Sequence, residues 1–210
     1  GNPARLSFYD LSEYLKMKFL KDLFINTLKN PRQGMRRVVS FELEKINTFQ
    51  LLIFVSIVST LLTYAFIRLV TGNLSIESNG EADFVVSLIT YLSLIQPVFL
   101  AFNQVFQMLL FAMIIFVGGQ LFKGKGSIWQ SISGVVLIEY VLLYLKLLQI
   151  ALFPISALLS VLVVVPGTIW SFWAFASVAA EIHGFKSTFK TFLGGFLISF
   201  LVLTVMNMLF

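Results

Sequence analysis

From Phe84 to Phe122 the chain carries no charged side chain, and the same is true from Leu147 to Ala180 and from Thr191 to Phe210. Runs of this length have few resting places. A helix needs about 20 apolar residues to cross the ~30 Å hydrocarbon core of a bilayer. A soluble domain has no interior large enough to hide several such runs. Composition agrees: the 210 residues are 58% hydrophobic and 12% charged, where soluble domains carry roughly 45–50% apolar and about 25% charged residues. The expectation is an all-α membrane protein.

Punctuation divides the runs. The first span is read over Asn47–Leu69, where Arg68 is the only charge and can snorkel to the interface. Gly72, Asn73, Asn79 and Gly80 mark a loop over Thr71–Asp83 that holds Glu77, Glu81 and Asp83. Pro97 interrupts the next run. Residues 84–96 are too short to cross alone and read as an interfacial or re-entrant helix, with Val98–Phe122 as the second span. A Lys-Gly-Lys-Gly turn at Lys123–Gly126 leads to a third span from Ser127 to Ala151. The fourth runs Pro154–Ala180 with a kink expected at Pro166-Gly167, and Glu181–Lys190 is a polar connector to a fifth at Thr191–Leu209. The fold expected is thus five transmembrane helices over 47–210, preceded by an amphipathic basic region over 1–46.

In that first region Phe8, Leu11, Leu15, Phe19, Leu23 and Phe24 form one apolar helical face. Lys16, Lys18 and Lys21 lie largely off it. Such a helix rests either in the interface plane, with lysines at lipid phosphates, or against the protein's own cytosolic side. Asn30-Pro31 ends it, and a second short helix carries Arg32, Arg36 and Arg37. Nine of the fifteen Lys and Arg residues precede Asn47. With the N-terminus in the cytosol, Lys123, Lys125, Lys186 and Lys190 also fall inside, and the first outer loop holds three acids. Basic residues concentrate on the cytosolic side of membrane proteins, so the N-terminus is placed inside and the C-terminus outside. These basic residues flank apolar spans, which makes membrane lipid the partner they suit and nucleic acid one they do not.

Three connector segments resemble the bacterial branch of the Yip family, the Ypt/Rab-interacting membrane proteins. They are Asn30-Pro31-Arg32-Gln33-Gly34-Met35-Arg36-Arg37, the turn Gly124–Ser127, and Glu181-Ile182-His183-Gly184-Phe185. The resemblance covers most of the chain. It implies five spans behind a cytosolic N-terminal region, and the bacterial inner membrane as location. Eukaryotic members act in vesicle trafficking with Rab GTPases. Residues 1–46 are short for a Rab-binding region, so that role is the weakest expectation here.

Few residues could carry chemistry. Glu139 lies near the middle of the third span, where a charge costs about 2.5–3.5 kcal/mol on insertion scales and therefore faces protein or water. Lys146 follows on the same face, roughly 10 Å along the axis at ~1.5 Å per residue, so direct pairing needs both side chains extended. Lys146 could instead reach outward to the interface. Asn103 and Gln107 share a face of the second span at a matching depth, and a polar cluster between the second and third spans is expected. It would serve as a substrate or proton path, or simply as inter-helix hydrogen bonding worth ~0.6 kcal/mol per bond. The second use is preferred, because one carboxylate and two amides make a poor path.

His183 is the only histidine and there is no cysteine, which leaves too few ligands for a zinc site. Glu181, His183 and Gly184 read instead as a connector capping the fourth span at the lipid headgroups. No nucleophile–base pairing and no phosphate-binding loop is found, so neither an enzyme nor a cofactor is expected. What remains is a non-catalytic protein that binds or organises lipids, other integral membrane proteins or a second copy of itself. A small transporter or channel component using Glu139 and Lys146 is the alternative.

Overall fold

The computed structural model describes residues 17–41, 43–77 and 96–197, with no side-chain description at 17, 18 and 72–77. Every regular element among them is helical. In chain order these are α1 (Met17–Lys29), α2 (Pro31–Ser40), α3 (Lys45–Glu77), α4 (Pro97–Leu121), α5 (Ile128–Leu152) and α6 (Ala157–His183). Residues 188–197 begin a further helix.

Local chemistry sets the ends. The Asn30 side chain accepts the Gln33 N–H at 3.2 Å, and Pro31 supplies the first turn of α2 with its φ already helical. Ser127 and Gln130 form a reciprocal capping box at the start of α5. Gly184, at φ 72°, closes α6 in the left-handed region, and the Phe185 N–H turns back to the Ala180 carbonyl at 2.8 Å.

Among the described residues, four helices are long and apolar enough to cross a membrane: Lys45–Thr71 within α3, Pro97–Leu121, Ile128–Leu152 and Ala157–His183. Their surface is that of a protein dissolved in lipid. On α4, Phe102 is 74% exposed, and Ile155, Leu158 and Ile169 project outward from the α6 side. The buried positions hold small and hydroxylic residues, among them Ser56, Ser59, Ser131, Ala174, Ser177 and Ala180, beside aliphatic ones such as Leu52, Met108 and Ile138. Hydrocarbon gives no reason to hide a phenylalanine, whereas close helix approach favours small side chains inside. Helix α5 is central, packing on α3, α4, α6 and both short helices.

Several boundaries differ from the sequence reading. The loop expected from Thr71 begins later, because α3 runs through Gly72 and Asn73 to Glu77. Glycine disfavours a helix by only about 1 kcal/mol, less than a continuing hydrogen-bond ladder supplies. Helix α6 starts at Ala157 rather than Pro154, since the Ile155 and Ser156 N–H groups still bond to the Leu152 carbonyl. It ends at His183 rather than Ala180, so Glu181 and His183 belong to its last turn and not to a connector. Residues 84–95, in the proposed interfacial segment, and most of the fifth span fall outside the described residues.

Over its described residues α1 packs against the protein's own bundle. The Leu20 carbonyl of α1 accepts the Tyr140 hydroxyl at 3.0 Å, and the Leu28 carbonyl accepts the Trp170 indole N–H at 2.9 Å. Tyr140 and Trp170 are the midpoints of α5 and α6. Helix α1 thus bridges the two helices halfway along, with Phe24 against Tyr144 at 4.4 Å between ring centres. Helix α2 returns nearer the end that holds the α4–α5 turn, burying Met35 completely. That end also carries Arg36, Arg37, Lys123, Lys125, Lys186 and Lys190 at its surface, and is called the basic end below.

Candidate functional site

The intramembrane cluster forms, with a different partner from the one expected. Lys146 Nζ donates to Glu139 Oε1 at 2.8 Å. Ser59 Oγ on α3 donates to the same oxygen at 2.6 Å and accepts from Lys146. The result is a closed triangle linking the first and third spans. The sequence reading underrated Lys146. Helical side chains lean toward the helix N-terminus, so a lysine seven residues on reaches back toward Glu139 rather than out to the interface.

Asn103 and Gln107 stay apart from the triangle and are exposed. The buried stripe of α4 is Met108, Ala112, Ile115 and Gly119. At ~100° per residue, Asn103 and Gln107 lie roughly 100–140° round the helix from Met108, off this buried stripe. Ser59 was missed because one hydroxyl in an apolar span is a weak signal. The usable sign was the set Ser56, Ser59, Thr60 and Thr63, which recurs at helical spacing on one face of α3.

A second assembly occupies the basic end. Glu181 receives Arg32 Nε on one oxygen and Arg36 Nε on the other, each at 2.8 Å. Arg32 also donates to the Phe185 and Lys186 carbonyls beyond the helix end. The Glu181 hydrogen bond, reinforced by its charge, raises the Arg36 pKa above its ordinary value against a small opposing desolvation. Two of the basic residues assigned to the membrane surface are therefore engaged with the protein. Lys21 and Arg37 are exposed, while the side chains of Lys16 and Lys18 lie outside the described residues.

His183 lies at the centre of this end, 3% exposed, and not at a headgroup surface. Its Nδ1 accepts the Gly126 N–H at 3.1 Å and its Nε2 lies 3.0 Å from the Ile115 carbonyl. An acceptor at one nitrogen and a carbonyl at the other define a neutral ring with its proton on Nε2. Gly119, Gly124 and Gly126 surround the ring so closely that a Cβ on any of them would overlap it. The imidazole thus ties α4, the α4–α5 turn and α6 together.

The Arg32 links give a test of this end. Arg32→Ala is expected to lower stability by about 2 kcal/mol, the range for charge-assisted hydrogen bonds. Arg32→Lys should recover little, because an ammonium lacks the planar fork that spans a carboxylate and two carbonyls. Unfolding midpoints in mixed micelles check both variants, and full recovery by lysine would remove the geometric argument.

Beside the triangle lies a groove of about 1030 Å³ between α4, α5, α6 and the helix over 188–197. Glu139 and Gln107 touch it, but Met108, Phe111, Ile115, Leu142 and Phe175 dominate the adjoining wall. At the basic end the groove reaches Lys186, Ser187 and Lys190. Comparison of the chain with protein-family models, curated proteins and solved structures finds no match.

Proposed function

We propose that this chain is a non-catalytic, five-span membrane protein of the Yip type that binds or organises other membrane components. The observation that carries the reading is the groove: it is large, mostly apolar, and meets its one acidic residue where that residue is already paired with Lys146 and Ser59. A transport path needs polar groups that exchange protons or ions with water, and a closed ion pair against phenylalanine and leucine serves that poorly. An apolar groove suits an acyl chain or a partner helix.

The family reading draws support from the three connector segments that carry the resemblance. They pack as one unit at the basic end, joined by Arg32 and Arg36 on Glu181 and by Gly126 on His183. The resemblance points to a bacterial inner membrane, and the basic-residue pattern supports an N-terminus in the cytosol and a C-terminus outside. Transport remains the second reading because Glu139 also borders the groove.

One experiment separates the two. A photoreactive residue in place of Phe172, an exposed wall residue of the groove, should yield discrete lipid or protein adducts in intact membranes. Proteoliposomes of the unmodified chain should conduct no protons above empty vesicles. A proton or cation flux that disappears in Glu139→Gln would overturn the organising role in favour of transport.

A further inference from the structure

We propose that the groove seats one anionic glycerophospholipid, with its phosphate at Lys186 and Lys190 and an acyl chain laid toward Phe111 and Phe175. This deepens the organising role and rests on it. The groove runs from the basic end, where both lysines are exposed, along α4 and α6 to the level of Glu139. Its wall residues Phe111, Phe172 and Phe196 are 43%, 60% and 62% exposed, so it opens onto the surface the bundle offers to lipid. Its volume of about 1030 Å³ lies at the top of the ~300–1,000 Å³ range of small-molecule sites. That is room for a chain and part of a glycerol unit.

Charge selects the headgroup. Ser187 accepts the Lys190 N–H at 3.2 Å and opens the helix over 188–197, whose positive dipole end lies beside the two lysines. Glu181, at the same end of the bundle, is bound by Arg32 and Arg36. Glu139 lies at the other end of the groove and is paired with Lys146. Among the described residues neither lysine is in an ion pair, so positive charge lies at the mouth, where a phospholipid carries its phosphate, and the apolar wall lies where it carries its tails.

The test exposes the purified full chain in mild detergent to equimolar phosphatidylglycerol and phosphatidylcholine with matched acyl chains. Retained lipid is counted by native mass spectrometry. The unmodified chain is expected to prefer phosphatidylglycerol by roughly 30-fold, the effect of two lysines near a lipid surface. Lys186→Gln with Lys190→Gln should bring the ratio close to one. Lys123→Gln with Lys125→Gln, at the same end but not on the groove wall, should leave it unchanged. Gly195→Leu should lower retention of both lipids, because a Cβ there meets nothing within 4 Å and a longer side chain can fill the groove. Equal retention of the two lipids, an equal loss in the Lys123/Lys125 variant, or no effect of Gly195→Leu would each overturn the seat. So would a lipid-free dimer that Gly195→Leu dissociates. Protein adducts at Phe172 that persist without any lipid preference would reject the lipid seat and leave the organising role standing.

Discussion

Lys146→Met is expected to destabilise the bundle by about 3 kcal/mol, the lower end of the ~3–5 kcal/mol for breaking a buried ion pair. The lower end applies because the Lys146 side chain retains 28% of its exposure, against 11% for Glu139. The variant leaves the carboxylate in the middle of the bundle with the Ser59 hydroxyl as its one remaining partner in the triangle. A neutral hydrogen bond in a membrane contributes only ~0.6 kcal/mol, so Ser59 cannot hold the charge alone. Removing both charges should restore most of the loss: Glu139→Gln with Lys146→Met places an amide beside Ser59 and an apolar chain toward lipid. The two single substitutions and the double one form a cycle whose coupling should exceed about 1 kcal/mol. Unfolding midpoints in mixed micelles measure it. A Lys146→Met effect within ~0.5 kcal/mol, the scale of an ordinary surface change, would mean the pair bears no structural load.

Gly119→Ala should be nearly as damaging, although it adds a single methyl group. Its Cβ would overlap the His183 ring, and that ring cannot swing aside without releasing Gly126 or Ile115 from its two nitrogens. We expect a loss of about 3 kcal/mol, the upper end of the range for overpacking. His183→Ala alone should lose a similar amount, since it leaves the buried Gly126 N–H without its acceptor and opens a void. Together the two substitutions should be far from additive, because the alanine methyl then enters space the imidazole has vacated. Coupling of ~2 kcal/mol or more in unfolding midpoints is the expected result. Strict additivity would show that the ring and the glycine do not meet.

Much of this architecture was legible in the sequence because lipid imposes a simple rule. Uncharged runs of sufficient length marked the segments that α4 and most of α6 occupy, and Asn30-Pro31 and Ser127 marked helix starts through local chemistry alone. Glu139 stood out because a carboxylate in an apolar span is expensive wherever it points. Its partner was not legible. Matching depths on successive spans pointed to Asn103 and Gln107, but α4 turns Met108, Ala112, Ile115 and Gly119 inward instead, and Ser59 comes from α3, which does not adjoin α5 in sequence. The basic end was hidden for the same reason. Arg32 and Glu181 are 149 residues apart, and sequence separation says nothing about which connector folds over which. His183 gave a sign that could have been read otherwise: a lone histidine in a chain with glycines at 119, 124 and 126 is a flat ring in need of a flat slot.

The placement of α1 across the midpoints of α5 and α6 has a consequence for the order of events during synthesis. The Leu20 carbonyl waits for Tyr140 and the Leu28 carbonyl for Trp170. At ~5–20 residues per second, the ribosome delivers those side chains roughly 6 to 30 seconds after the helix that needs them. Through that interval α1 lacks its partners on α5 and α6, and its apolar face has only α2, Phe41 and the start of α3 to rest on within its own chain. Helix α1 is therefore among the last elements to settle, and its docking marks a chain whose α6 is already in place.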